Sequence, residues 1–229
     1  TEDHQLKDLS KLGQNNVPIA IKQKSTLDLT SKLDKNGVLT ASLPEGTWNI
    51  MRFGFTSTGA MNSPASPEGQ GLEADKMDRK AVKIHYDAYV GKVADQVRDV
   101  APNALQYMEI DSFEVGGQNW TDGYLDKFEQ RFGYSLRPFL PIYAGKVVNS
   151  KETTDKVLWD IRLFNSKLIT DNYFGYFTEL THEDGLISYI EPYSFNAPFN
   201  ELEAGGKPDI PMGEFWVSRF GNRVHAAVS

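Results

Sequence analysis

Hydrophobic residues alternate with polar ones, or form short runs, over residues 17–55. The runs VPIAIKQ, GVLTASL and TWNIMRFGF are divided by Asn36-Gly37 and by Pro44-Glu45-Gly46. Short apolar runs between turn residues predict β-strands. Asn36 and Gly37 both tolerate positive φ, so they predict a two-residue hairpin turn. We therefore expect residues 1–60 to form a short β-rich lead-in segment.

The pattern changes to helical spacing after a long loop over residues 56–73. One helix is predicted from an N-cap at Asp75, a second from about Asp122 to Gly133, and the longest from about Thr154 to Glu183. Three apolar segments predict strands: 104–110, 186–193 and 209–216. Residues 218–229 predict the start of another amphipathic helix. The apolar positions that define the first and longest helices are Val82, Tyr86, Tyr89, Val93 and Val97, then Leu158, Trp159, Ile161, Leu168, Ile169, Tyr173, Phe177 and Leu180.

Strands that alternate with helices are typical of a parallel α/β sheet. A complete (β/α)8 barrel needs roughly 250 residues, and about four strand–helix units fit here. We therefore expect residues 61–229 to form the N-terminal portion of a (β/α)8 TIM-barrel, whose remaining strands would follow Ser229. The polar opening TEDHQLKDLSKLG and the uncapped last helix both suggest a part of a longer protein.

Composition narrows the classes of function. The 229 residues include 24 Lys and Arg against 31 Asp and Glu, which gives a net charge of −7. This sign disfavours a nucleic-acid partner, because affinity for phosphates comes from cationic side chains. No apolar run reaches the roughly 18 residues of a membrane span. An acidic chain with 4 Trp and 10 Tyr suits a neutral, hydroxyl-rich ligand or a metal ion. The lack of cysteine excludes disulfides, thiol catalysis and cysteine-ligated zinc.

Acidic residues collect at the predicted strand ends. In parallel α/β folds the chemistry lies at the carboxyl ends of the strands. Alternation predicts that Met108 and Ile110 face the helices and that Tyr107, Glu109 and Asp111 face the barrel interior. The acids at or just after the three strand ends are Glu109, Asp111, Glu114, Glu191 and Glu214.

These acids have two interpretations. Each could be an ordinary strand-end residue paired with Lys or Arg, or together they could form a hard-cation site with a catalytic carboxylate. Oxygen ligands favour Ca²⁺ over a transition metal. No P-loop, dinucleotide-binding or nucleophile-elbow motif is present. Aromatic residues near the acids could stack on sugar rings or fill the core: Trp120, Tyr193, Phe195, Phe199 and Trp216.

Five stretches of the chain together resemble glycoside hydrolase family 106, the α-L-rhamnosidases of gut and soil bacteria. They follow the family's order and cover nearly the whole chain. They are GTWNIMRFGFTSTG (46–59), NSPASPEGQGLEADKMD (62–78), YMEIDSFEVGGQNWT (107–121), ISYIEPY (187–193) and LEAGGKPDIPMGEFW (202–216).

The resemblance implies a multi-domain periplasmic, secreted or cell-surface enzyme that hydrolyses terminal α-L-rhamnosides with inversion and with help from Ca²⁺. It places the catalytic acid at Glu114, with Asp111 as its close neighbour, and the second catalytic carboxylate beyond Ser229. Glu114 lies between Phe113 and Val115, an apolar setting that favours a protonated carboxyl. The residues expected at the sugar are Asn119, Trp120, Glu191, Tyr193 and Trp216, and those expected at calcium are Glu109, Glu191 and Glu214.

Two other functions stay open at this point. The chain could be a non-catalytic module that binds carbohydrate or calcium through the same acids. It could also belong to a barrel glycosidase that acts on another sugar, because the sequence does not specify which ring hydroxyls are recognised. In each case the partners are a carbohydrate and the remaining domains of the parent protein.

Overall fold

The computed structural model describes residues 20–194 and 197–213, together with the backbone of residues 215–216 and 225–226. The chain divides into two compact units, Thr1–Thr56 with Gly123–Ile161, and Ser57–Asp122 with Arg162–Ser229. The α-helices are α1 Arg79–Ala88, α2 Val90–Val100, α3 Tyr124–Phe132, α4 Lys151–Ile169, α5 Tyr176–Glu183 and α6 Glu201–Gly205. The strands are β1 Tyr107–Ile110, β2 Ile187–Ile190, β3 Ile210–Pro211, β4 Phe215–Trp216 and β5 His225–Ala226.

The first unit has an aromatic and aliphatic core. Phe128 is fully buried and contacts Phe132 and Tyr134, with ring centroids 4.6 and 5.3 Å apart. The predicted helix at 122–133 is confirmed as α3, and it ends at Gly133, whose φ of +75° is left-handed. A 3-10 segment, Arg137–Ala144, follows and buries Phe139 and Ile142.

The strands predicted over residues 17–55 are not formed in the described part of that segment. Residues 20–56 pair only at isolated bridges, Ile21 with Val148 and Leu33 with Leu39. A strand needs a neighbouring backbone to complete its hydrogen bonds, and these bridges supply one at only a few residues. The side chain of Ile50, in one of the predicted strands, is accordingly 66% exposed.

A small hairpin does form at the predicted turn, but with different geometry. The Gly37 N–H donates to Asp34 O at 3.0 Å and the Asp34 N–H donates to Val38 O at 2.9 Å. Gly37 has a φ of +79°, whereas Asn36 is not among the residues with positive φ. The turn is therefore a three-residue loop that ends in a left-handed glycine, instead of the predicted two-residue turn.

The first predicted helix begins later than expected and is broken. Its N-cap is Asp78, whose carboxylate accepts from the Lys80 N–H at 3.2 Å. Asp75 does not cap it, because its carboxylate accepts from Met77 N–H and from Thr121. The helix stops at Tyr89 before α2 begins, and Tyr89 is exposed instead of lying on the predicted apolar face.

The longest predicted helix is confirmed as a continuous helical segment from Lys151 to Glu183, with one irregularity. A π-helical turn, Thr170–Gly175, joins α4 to α5. Such wide turns occur where a helix holds one residue more than regular α geometry allows. Trp159, predicted on the apolar face, is 67% exposed.

The second unit contains a three-stranded parallel sheet in the order β1-β2-β3. This confirms the prediction of a parallel α/β arrangement, whereas its place in a partial (β/α)8 TIM-barrel stays a prediction. Ile110 and Ile190 are register partners, and both are buried in a core formed with helices α1 and α5. The predicted alternation in β1 is confirmed, since Tyr107 and Glu109 are exposed on the opposite face.

Near the end of the chain the structure corrects a predicted helix. The segment predicted as one strand at 209–216 forms two, β3 and β4. His225 and Ala226, predicted in a helix, instead form β5, which pairs antiparallel with β4. Backbone pairing with β4 fixes this conformation, and the pattern of apolar residues within 218–229 does not reveal it. The other residues of the predicted helix at 218–229 lie outside the described residues.

None of the helices in the described part of the chain is both long enough and apolar enough to cross a membrane.

The carboxylate of Asp209, the residue before β3, accepts hydrogen bonds from β2. The buried Ser188 donates to Asp209 Oδ2 from its N–H at 2.8 Å and from its hydroxyl at 2.9 Å. The His182 ring lies 2.8 Å from the same oxygen. The Ser188 N–H, with a smaller contribution from His182, lowers the pKa of Asp209 below its ordinary value.

We predict that Asp209→Ala lowers the free energy of unfolding by about 1–3 kcal/mol, because the buried Ser188 N–H loses its acceptor. A carboxylate whose pKa is lowered by folding stabilises the fold above its unfolded-state pKa of about 4, and that contribution is lost as the pH falls through the folded-state value. Thermal unfolding at several pH values should therefore show the difference from wild type shrinking in acid. Asp87→Ala, which removes an exposed pair with Lys83, should change stability by less than about 0.5 kcal/mol.

We also predict that Gly133→Ala destabilises the chain by roughly 1 kcal/mol, because alanine is strained at the left-handed φ that ends α3. Gly71→Ala is the matched control, since its φ is not positive and no heavy atom lies within 4 Å of the added methyl group. Equal thermal unfolding midpoints for the two variants would contradict this account.

Candidate active site

Three chain segments leave the parallel sheet side by side at its carboxyl edge. The Glu191 N–H donates to Ile110 O at 2.9 Å, which extends the β1–β2 ladder by one step. The Met212 N–H donates to Ile190 O at 2.8 Å and does the same for β2 and β3. Asp111 and Glu191, predicted as site residues, therefore follow directly on paired strand ends.

Two charged residues are buried among the residues that the structure describes, Lys76 and Glu191. Glu191 is 3% exposed and directly follows β2. Lys76 is 5% exposed, and its ammonium lies near Phe113, which belongs to the loop after β1. Burial of charge is costly, and buried charges in a cleft or at a strand edge are candidates for function.

The loop after β1 carries the predicted catalytic residues, Asp111 and Glu114. Asp111 is exposed, and its Oδ1 accepts from the Ser112 N–H at 2.8 Å. Phe113 is 3% exposed, and its N–H donates to Tyr193 O at 2.8 Å, which ties this loop to the loop after β2.

Glu114 is exposed between two residues that pack on the core, Phe113 and Val115. The apolar setting predicted from the sequence is therefore not formed around its carboxyl, because the neighbouring side chains turn inward while Glu114 turns to solvent. Its backbone is nevertheless held on both sides, so the carboxyl projects from an anchored position.

An aromatic cluster holds Phe113 in place. Its ring lies 5.2 Å from Phe199, 6.3 Å from Tyr173 and 6.5 Å from Phe174, measured between centroids. Burial, and then the negative charge of Glu73, raises the pKa of the Tyr173 hydroxyl. Phe199, which the sequence placed either at the sugar or in the core, belongs to the core.

Lys76 was missed by the sequence analysis. Its ammonium forms an ion pair with Glu73 and lies 5.7 Å from the centroid of the Phe113 ring and 5.3 Å from that of Tyr173. In the sequence it stands between Asp75 and Asp78, a context that is typical of a solvated helix start. The only signal for it lay within the stretch 62–78 that carries part of the family resemblance.

The remaining predicted residues are placed as follows. Asn119, Trp120 and Tyr193 are half-buried on the loops after β1 and β2, and Glu109 is exposed on β1. Trp216 lies in β4, where only the backbone is described. Glu214 and Phe195 lie outside the described residues.

The predicted calcium site lies only partly within the described residues. No group of three or more acidic or histidine side chains there could hold a metal ion. Of the three predicted ligands, Glu109 is exposed, Glu191 is buried and Glu214 is not described. Calcium binding therefore stays a prediction.

This edge combines features that suit a neutral sugar. Exposed carboxyls at Asp111 and Glu114 could exchange protons with a bound molecule, and half-buried aromatic and amide side chains could contact its ring and hydroxyls. The only buried cation among the described residues, Lys76, is already paired with Glu73 and so does not offer a site for an anionic group.

Comparison with known proteins finds similarity to proteins named as glycosidases. A protein from Formosa agariphila, named as a putative beta-glucuronidase, is 39% identical over 196 residues, which are 86% of this chain and 17% of that protein. A solved structure, the rhamnosidase from Novosphingobium sp. PP1Y, matches 89% of this chain and 20% of its own with a TM-score of 0.73 and 28% identity. The chain thus spans about a fifth or less of both relatives.

The family model for glycoside hydrolase family 106, described as alpha-L-rhamnosidase, matches residues 4–227. This match covers nearly the whole chain and confirms the resemblance found in the sequence. The parallel strands, the acids that follow them and the match over 4–227 lead to one conclusion: the chain belongs to glycoside hydrolase family 106.

Proposed function

We propose that the protein to which this chain belongs hydrolyses terminal α-L-rhamnosides, with Glu114 as the general acid. One observation carries the assignment of Glu114: its carboxyl projects from a backbone anchored by Phe113 and Val115, at the carboxyl end of β1. Family membership and the likeness to a solved rhamnosidase support the choice of reaction and of sugar.

In the proposed reaction, Glu114 donates its proton to the glycosidic oxygen as the bond to the anomeric carbon breaks. A bound sugar would cover the exposed carboxyl, and loss of solvent favours its protonated form. Water attacks the anomeric carbon from the opposite face, activated by a second carboxyl roughly 6.5–9.5 Å from the first in an inverting enzyme.

The other residues of this edge would bind the sugar. Glu191 is proposed at the sugar because of the family resemblance, and it directly follows β2, where its N–H donates to Ile110 O next to the strand end of Asp111. Trp120 would stack on the apolar face of the ring, with Asn119 and Tyr193 as polar neighbours. Asp111, the first residue after β1, would be a further polar neighbour of the sugar in the loop that bears Glu114.

A second candidate substrate is a β-glucuronide, since a relative 39% identical to this chain carries the name putative beta-glucuronidase. A glucuronide has a carboxylate that requires a cationic partner, whereas rhamnose is neutral. The pairing of Lys76 with Glu73 favours the neutral sugar. Hydrolysis of a panel of nitrophenyl glycosides by the full-length protein would separate these two substrates. Binding of rhamnose without turnover of any glycoside would instead favour a non-catalytic module.

Calcium is a further part of the proposal and is supported only by the family resemblance. The proposed ligands are Glu109, Glu191 and Glu214, and the ion would orient sugar hydroxyls without acting in proton transfer. Isothermal titration of the metal-free full-length protein with Ca²⁺, and of its Glu214→Gln variant, tests whether such a site exists.

We predict that Glu114→Gln lowers kcat about 10²–10⁴-fold for an aryl rhamnoside with a poor leaving group, because the leaving oxygen then lacks its proton donor. A dinitrophenyl rhamnoside, whose leaving group needs no proton, should lose far less. The exposed Glu129→Gln on α3 is the matched control and should keep full activity. Glu114→Gln should also leave the unfolding midpoint unchanged, since the side chain is exposed. An unchanged rate on the poor leaving group would remove Glu114 from the mechanism.

We further predict that the first product of an α-L-rhamnoside is β-L-rhamnose. Proton NMR during the first minutes of hydrolysis distinguishes the two anomers before they equilibrate. Initial release of the α anomer would indicate retention, which requires the two carboxyls to lie only about 5 Å apart and one of them to act as a nucleophile.

A further inference from the structure

Residues 73–78 contact the loop after β1, residues 111–121, at both of its ends. This loop carries four of the predicted site residues, Asp111, Glu114, Asn119 and Trp120. One contact is made by Lys76 at Phe113, and the other by Asp75 at Gln118 and Thr121. The two contacts enclose Glu114 between them along the chain.

The first contact is a buried cation. The Lys76 ammonium lies against the rings of Phe113 and Tyr173, within the roughly 6 Å at which a cation attracts an aromatic face. Its charge is balanced by Glu73. Phe113 immediately precedes Glu114, so the position of this ring determines where the backbone of Glu114 begins.

The second contact is a set of hydrogen bonds. The Thr121 hydroxyl donates to Asp75 Oδ2 at 2.6 Å, and the Gln118 amide donates to Asp75 Oδ1. The Gln118 side chain also accepts from the Lys76 N–H at 3.2 Å and donates to Trp120 O at 3.2 Å. Thr121 is buried, so these bonds fix the end of the loop in a part of the structure that excludes water.

Packing alone does not explain why the charged side chain of Lys76 is buried beside Phe113. An apolar side chain of similar length, such as methionine, would fill the space beside Phe113 without the cost of burying an ammonium. Buried ion pairs usually add little net stability, but they can select one arrangement of the groups around them. The arrangement selected here is that of the loop bearing Glu114.

We propose that Lys76 and Asp75 are positioning residues that hold the loop of residues 111–121 so that Glu114 reaches the glycosidic oxygen. The inference rests on the proposed function of Glu114 and extends it to residues that do not contact the substrate. Loss of either contact displaces the acid and impairs proton donation, while the sugar still binds.

The test uses the full-length protein and two rhamnosides, one with a poor leaving group and one with a dinitrophenyl group. Lys76→Met should lower kcat roughly 10–100-fold for the poor leaving group, the loss expected when a reacting group is displaced by about 1 Å. Its kcat for the dinitrophenyl rhamnoside and its KM for both should stay near wild type. Lys76→Arg, which keeps the cation, should recover most of the lost rate. Lys83→Met is the control, since Lys83 forms an exposed ion pair with Asp87.

Thr121→Val is a milder variant that removes one hydrogen bond to Asp75 and keeps the side-chain shape, so it gives the same test if Lys76→Met fails to fold. A selective loss on the poor leaving group supports the inference. An equal loss on both substrates, or no loss, overturns it and leaves these residues a structural role.

Glu114→Gln, measured on the same two substrates, separates the inference from the function on which it rests. If that variant has no leaving-group preference, the general-acid assignment fails and the positioning role falls with it. If Glu114→Gln is selective while Lys76→Met and Thr121→Val are not, only the positioning role is overturned.

Discussion

The parallel ladder between β1 and β2 is the constraint on which the candidate site depends. Ile110 and Ile190 are buried register partners, and the next hydrogen bond, from Glu191 N–H to Ile110 O, carries the pairing past both strand ends. Because parallel strands run in one direction, the loops that follow them emerge at one edge. Two distant parts of the sequence, near residues 111 and 191, are thereby brought together.

Burial of Phe113 fixes the conformation of the loop that follows β1. The aromatic ring enters the core and leaves Glu114 in solvent, so hydrophobic packing orients a polar group that makes little contact itself. The exposed Glu114, in the loop after β1, and the buried Glu191, directly after β2, therefore have different surroundings. Such a contrast allows two carboxyls to serve different roles.

Local patterns predicted the elements whose boundaries depend on nearby residues. The alternation in β1, the left-handed end of α3 at Gly133 and the apolar strand β2 were all readable, because each reflects burial or turn chemistry within a few positions. Residues whose partners are distant in sequence were misread. Asp75 is of a residue type that often caps helices, yet its carboxylate accepts a hydrogen bond from Thr121, 46 residues away. Lys76 was missed for the same reason, since only the fold brings it beside Phe113.

The π-helical turn at Thr170–Gly175 lets the long helix hold one extra residue while the residues after it keep facing the core. Four buried positions on one side, Asn165, Ile169, Phe174 and Thr178, are spaced by four, five and four residues. Removal of one residue from 170–175 would reduce these spacings to four throughout, so a regular α-helix would form and Phe177 and Leu180 would still face the core. Removal of one residue earlier in α4 would instead turn everything after it by about 100° around the axis, although no buried side chain had been altered. The wide turn is therefore the place where this helix tolerates a change of length, whereas the same change elsewhere in it would alter the face that is presented to β2.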